Sequence, residues 1–294
     1  MHNCRGAEFG NHNHPAFPRI NPNWNAGSID IVATSLLHDP DVIVPFRIVH
    51  EGTEQRYLTG GDFDPESIQI VGDTVWIGEG FGPYLIRTTL DGRVTGLFET
   101  EFEVAVPRSP DYPQVPNPSV AGVDFQVPRS GGFEDLALTH DGRSQWAMLE
   151  KPALDARGYS EGSYLQVLEF DLAQSAWTGD SFRYALDEGA AAIGDFNFID
   201  DTRALVIERD NGEGDPSLAC ADVTQPQPDC FPAPARFKRV VLIDTQQLDD
   251  DGLVRKLAHI DLMDIEDPST NARLDTEAAR DSPASLPSHF LRLK

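Results

Sequence analysis

Residues 63–79 read FDPESIQIVGDTVWIGE, residues 132–150 read GFEDLALTHDGRSQWAMLE, and residues 193–210 read IGDFNFIDDTRALVIERD. The three stretches share one pattern. An acid (Glu66, Glu134 or Asp195) precedes a short apolar strand, a Gly/Asp turn follows, and a second apolar strand runs to another acid (Glu79, Glu150 or Glu208). The acid-to-acid spacings are 13, 16 and 13 residues, and successive repeats start 68 and 61 residues apart. Self-similarity at such a period is the mark of a repeat architecture.

Each repeat continues into a further strand pair. These are PYLIRTTLDGRVTGLFE from Pro83, YLQVLEFDLAQSAWTGDSFRYAL from Tyr164, and RFKRVVLIDTQQLDDDGLVRKLAHIDL from Arg236. Turn dipeptides such as Gly72-Asp73, Asp91-Gly92 and Asp141-Gly142 separate the strands. Four hairpin-linked strands per repeat make the blade of an all-β propeller of four-stranded antiparallel blades. A blade takes about 40–50 residues. The excess falls in loops over residues 107–128, 151–162 and 211–237. Strands are also expected at Ile29–Ala33 and Val42–Ile48, and a short polar helix at Asn271–Arg280. Residues 1–28 read as an irregular N-terminal segment, 29–266 as the propeller domain and 267–294 as an irregular tail. The strand pattern stops short at the ends, which predicts a propeller incomplete at one or both of them.

The 294 residues are 40% hydrophobic and include 16 Phe and 4 Trp, enough to pack a core. Gly (24) and Pro (22) are abundant, as many turns require. With 48 acidic against 23 basic residues, the formal net charge is -25. Such a surface repels nucleic acid, so no nucleic-acid partner is expected. No apolar run approaches the roughly 18 residues of a membrane-spanning helix. Cys220 and Cys230 lie ten apart in a polar loop. A bridge between them is expected, with two free thiols as the alternative, and with the bridge comes export to the periplasm or beyond the cell. The N-terminal stretch shows no signal peptide.

A hairpin returns to the edge where it began, so both acids of each repeat should sit at one end of a blade. Blade stacking then predicts a common rim holding Glu66, Glu79, Glu134, Glu150, Asp195 and Glu208. Clustered carboxylates raise one another's pKa unless a cation offsets them. All-oxygen donors favour a hard cation, Ca²⁺ or Mg²⁺, over Zn²⁺. Asp62, Asp64 and Glu66, and the run from Asp210 to Asp215, read as calcium loops, with solvated turns as the alternative. Arg209 offers a fork for a phosphate or an ion-pair partner for the rim. There is no G-x-S-x-G, H-E-x-x-H, C-x-x-C or P-loop motif, and no serine stands in a nucleophile elbow.

GGDFDPESI, the strand ending GEGFGP, GGFEDLALTHDGR followed by AMLE, and IGD with VIERD and KRVVLID resemble the phytase-like domain family. The resemblance runs from about Thr59 to Asp264. It implies a β-propeller and phosphoric-ester hydrolysis, and it carries over to Glu66, Glu79, Glu134, Glu150, Asp195, Glu208 and Asp210. The resulting expectation is a calcium-dependent hydrolase of a small-molecule phosphoester. Glu134, Glu208 and Arg209 would be catalytic, and Glu66, Glu79, Glu150, Asp195 and Asp210 would hold the metal. A propeller that binds ligands without catalysis is the second reading. A carboxylic esterase comes last.

Overall fold

The computed structural model describes residues 16–23, 28–100, 106–115, 125–154, 164–224 and 230–264. Its regular elements are almost all strands. A ribbon of β1 (Ala16–Asn23) and β2 (Ser28–Leu36) comes first, so the stretch read as irregular contributes a strand. Three four-stranded sheets follow. The first is β3 (Pro65–Val71), β4 (Thr74–Glu79), β5 (Tyr84–Thr89) and β6 (Val94–Glu99). The second is β7 (Phe133–Leu138), β8 (Ser144–Leu149), β9 (Tyr164–Asp171) and β10 (Ala176–Ala185). The third is β11 (Ala192–Phe198), β12 (Arg203–Arg209), β13 (Lys238–Leu248) and β14 (Val254–Asp261).

Within each sheet, neighbours in sequence are antiparallel neighbours in space. β7 packs beside both β3 and β11, so the first strand of every blade is the innermost, as the repeat predicts. The expected helix at Asn271–Arg280 lies outside the described residues.

Alternation explains the packing. Trp76 and Leu85 of the first blade meet Leu136, Ala147, Leu149 and Phe170 of the second. Met148, Val167 and Tyr184 of the second meet Ile193, Phe196 and Val206 of the third. Each blade thus buries an apolar face against the next, the arrangement of a propeller. The outer face of the first blade is covered by Leu37, Val44, Ile48, Leu58 and Phe63. Val42–Ile48, expected as a strand, is a loop in this cover. The Asp39 carboxylate accepts the N–H groups of Ile43 (2.7 Å) and Val44 (3.1 Å). Val42 takes a φ of 59°, and Pro45 follows. Local turn bonding has overridden β propensity.

One irregularity recurs in every blade. Pro65 pairs with Glu79 but Ser67 with Gly78; Phe133 with Leu149 but Asp135 with Met148; Ile193 with Glu208 but Asp195 with Ile207. Each innermost strand therefore carries one bulged residue: Glu66, Glu134 and Gly194. Bulges re-aim side chains next to functional sites.

The join between the first two blades is tight at Gly132, whose N–H donates to Gly80 O (3.1 Å). A Cβ there would lie 2.5 Å from Glu79 O and 2.7 Å from Gly80 O. Gly132→Ala should cost about 1–3 kcal/mol through forced backbone movement. Thermal unfolding reads this as a drop of about 2–4 °C per kcal/mol. An unchanged midpoint would show that this junction yields easily.

Candidate active site

The bulge register decides which acids meet. Glu66 and Glu134 are equivalent, but their counterpart in the third blade is Gly194, not Asp195. Asp195 matches Ser67 and Asp135, one residue further along. On the second strands, Glu79 matches Leu149 and Glu208, while Glu150 matches Gly80 and Arg209. The six acids do not occupy equivalent positions in the three blades.

Glu79 and Glu208 turn into the protein and are fully buried. Glu79 accepts N–H groups from Asp64 (3.2 Å), Phe81 (2.7 Å) and Gly82 (2.7 Å), closing the end of its blade. Burial pushes its pKa up to about 8, against the pull of those three donors. Glu208 accepts from Tyr184 Oη (2.8 Å) and Lys256 Nζ (2.5 Å). Asp195 accepts from Asn197 Nδ2 at 2.8 Å. Asp210 pins its loop by accepting from the N–H groups of Arg236 (2.7 Å), Phe237 (3.2 Å) and Gly212 (3.2 Å), and it pairs with Lys238 (2.9 Å). Burial opposes ionisation of Asp210, but Lys238 and these donors hold its carboxyl below the usual range. Asp62, read as a calcium ligand, is buried and accepts from Val49 N, Thr59 N and Thr59 Oγ1, each at 2.8 Å.

The acids that do meet are Asp64, Glu66, Glu134 and Glu150. Asp64 lies close enough to Glu66 to act on its carboxyl, and the fields of Glu134 and Glu150 reach Glu66 as well. The Glu66 pKa is pushed up to about 9, first by surrounding protein that excludes water and then by the charges of Asp64, Glu134 and Glu150. The residue is nonetheless exposed at the mouth, and water reaching it shrinks the shift without changing its sign. Gly80 makes this crowding possible, since a Cβ there would lie 3.3 Å from Asp64 Oδ2 and 3.5 Å from Glu66 Cγ.

Two cations balance the group. Arg209 donates from Nη2 to Glu150 Oε1 and from Nη1 to Asn211 Oδ1, both at 3.0 Å. Lys151 Nζ lies 3.2 Å from Glu150 Oε2. The Arg209 side chain is 30% exposed. Ser130 completes the set, its hydroxyl 3.3 Å from Asp64 Oδ2. Ser130 was not among the site residues expected from sequence. The signal was there in the Ser-Gly-Gly run that leads straight into the second repeat's acid.

Among the described residues, no three Asp, Glu, His or Cys side chains are placed to hold one metal ion. Glu79, Asp195 and Asp210 are committed to other partners. Of the five residues expected to hold calcium, Glu66 and Glu150 are the two near one another.

The phytase-like family model, described as esterase-like activity of phytase, matches residues 9–284. The chain belongs to the phytase-like family. No curated protein matches it. Among solved structures, Kuenenia stuttgartiensis hydrazine synthase is similar at 13% identity over 66% of this chain, with a TM-score of 0.35. The match takes in 42% of that chain. A structure of U3-55K is similar at 9% identity over 68% of this chain and 82% of its own, with a TM-score of 0.24. The WD40 repeats of RRP9 are similar at 10% identity over 68% of this chain and 81% of their own, with a TM-score of 0.24. For this phytase-like chain the fold rests on its own three blades.

The loop that positions Asn211 is closed by a Cys220–Cys230 disulfide, with the two Cα atoms 4.9 Å apart. Of the three cysteines, only Cys4 is left to react. A thiol reagent applied to denatured, unreduced protein should therefore count about one thiol per chain. Three would show that the bridge does not form in solution. No helix among the described residues is long and apolar enough to cross a membrane.

Proposed function

We propose that this chain hydrolyses phosphoric esters, with Asp64 and Glu66 as its proton-handling pair and Arg209 as the contact for the substrate's phosphoryl oxygens. The observation that carries this is the meeting of the Asp64 and Glu66 carboxyl groups, with Ser130 Oγ 3.3 Å from Asp64 Oδ2 and Arg209 held nearby on Glu150 at 3.0 Å. A pair of this kind divides into an acid and a base. Glu66 keeps its proton at neutral pH and is the donor to a leaving oxygen. Asp64 is the acceptor. Glu134 and Glu150 hold Glu66 in its protonated form, and Glu150 also fixes the Arg209 fork. Family membership supports the same reaction class.

The charge of the site narrows the substrate. Four carboxyl groups, of Asp64, Glu66, Glu134 and Glu150, gather here with Arg209 and Lys151 paired to Glu150. A dianionic monoester or a polyphosphate meets more repulsion than a singly charged phosphodiester. The preferred substrate is therefore a small phosphodiester. The Cys220–Cys230 bridge is the reason to place the protein in an oxidising compartment, the periplasm or outside the cell.

The test is steady-state hydrolysis of bis(p-nitrophenyl) phosphate against p-nitrophenyl phosphate. It is run both in chelator and with added calcium, so that the calcium requirement expected from sequence is read in the same assay. Turnover with the diester preferred is the expected result. Failure to cleave either compound under both conditions would leave a binding propeller as the better reading.

A further inference from the structure

We infer that Ser130 is the nucleophile of this site, attacking phosphorus to form a covalent phosphoryl–serine intermediate. The inference rests on the phosphoric-ester reading above and adds the step that reading leaves open.

Ser130 sits in the loop that leads into β7, at the position matching Asp62 in the first blade and Ala190 in the third. Its hydroxyl is 3.3 Å from Asp64 Oδ2, so the base is already in contact with the proton it would remove. Its backbone is held at φ 45°, a left-handed conformation that a residue with a Cβ rarely adopts. Strain of this kind persists only where the surroundings fix it, and it collects at functional sites. Here the surroundings are clear. The Ser130 N–H donates to Asp111 Oδ2 (3.1 Å), and the Ser130 carbonyl accepts from Lys151 Nζ (2.8 Å). Asp111 is itself paired with Arg129. Gly131 and Gly132 follow, and a Cβ on either would press on backbone, Pro128 O at 3.0 Å or Glu79 O at 2.5 Å. The strained turn is thus clamped on both sides and brings the hydroxyl against the acid pair. Ser130 is only partly buried, so a substrate can reach it.

The chemistry balances without a further reactant. Asp64 takes the Ser130 proton as Oγ bonds to phosphorus. The bond from phosphorus to the leaving oxygen breaks, and Glu66 protonates that oxygen. Water then attacks the phosphoryl–serine and gives its proton to Glu66. The Oγ–phosphorus bond breaks, and Asp64 returns its proton to Ser130. The net change is hydrolysis of one ester bond.

The test uses the full chain and bis(p-nitrophenyl) phosphate. Acid-quenched wild-type protein should carry a p-nitrophenyl phosphoryl or phosphoryl group on the tryptic peptide Ser130–Arg143. Ser130→Ala and Ser130→Gly should each lose about 100-fold or more in kcat. Ser130→Gly is the safeguard, because glycine adopts this φ freely and the variant should fold at least as well as wild type. Three results would overturn the assignment. Turnover in Ser130→Gly within threefold of wild type, with no adduct, removes Ser130 and leaves the phosphoric-ester reading standing. Loss of turnover in Ser130→Gly with no adduct in wild type shows a hydroxyl that only orients Asp64. No turnover by wild type at all removes the reading and the nucleophile together.

Discussion

Glu66→Gln should lower kcat on bis(p-nitrophenyl) phosphate by about 10²–10⁴-fold, with KM little changed. Glutamine keeps the shape and a hydrogen-bond donor but cannot release a proton to the leaving oxygen. The pH profile provides a second readout. In wild type the rate should fall at alkaline pH, at or below about 9, as Glu66 loses its proton. That alkaline limb should vanish in the variant. Stability follows the same linkage. The folded-state pKa of Glu66 lies above its ordinary value, so the native state holds this proton more tightly than the unfolded chain. The resulting stabilisation is complete below about pH 4.5 and is lost as pH rises toward about 9. Melting temperature should therefore decline across that window in wild type and decline less in Glu66→Gln. A variant with wild-type kcat, or one whose melting falls as steeply as wild type's, would remove Glu66 from the acid role.

Lys256→Met should be the most damaging single change to stability, at about 3–5 kcal/mol. Lys256 Nζ reaches Glu208 Oε1 at 2.5 Å and Asp187 Oδ1 at 2.7 Å, and it lies 4.6 Å from the centre of the Tyr184 ring. The Glu208 side chain is wholly buried, and its Oε2 has no hydrogen-bond partner. Removing the lysine leaves that carboxylate in the protein interior with no cation. This network joins the last strand of the third blade to the end of the second, so both blades should loosen. The double change Lys256→Met with Glu208→Gln should recover most of the loss, because the stranded charge goes with it. Chemical denaturation measures both. Equal stability of the single and double variants would show that the pair does not carry this load.

The blades were legible in the sequence because blade formation is local. Each strand alternates, each turn carries its Gly or Asp, and hairpin partners lie within a few residues of each other. Segments such as Trp146–Leu149 and Arg239–Ile243 therefore read correctly. The site was legible only in part. Aligning repeats by the nearest acid pairs Asp195 with Glu66 and Glu150 with Glu79. The strand pairing instead makes Gly194 the counterpart of Glu66 and Glu134, and Leu149 the counterpart of Glu79 and Glu208, so Asp195 and Glu150 each stand one residue further along. A one-residue shift in a strand moves a side chain to the other face, so acids that look equivalent in the repeat face different surroundings. Asp64 and Ser130 meet across 66 residues of chain, through a turn whose φ no local pattern announces. The loop at Val42–Ile48 was missed for the opposite reason: its apolar run looks like a strand, and one carboxylate at Asp39 decides otherwise.

The most direct test of the site compares Asp64→Asn with Asp195→Asn in the hydrolysis of bis(p-nitrophenyl) phosphate. Repeat alignment puts Asp195 at the rim, whereas the bulge register puts Asp64 there beside Glu66 and Ser130. The account predicts a loss of about 10²–10⁴-fold in kcat/KM for Asp64→Asn and activity within a few-fold of wild type for Asp195→Asn. Full activity in Asp64→Asn, or a loss confined to Asp195→Asn, would contradict it.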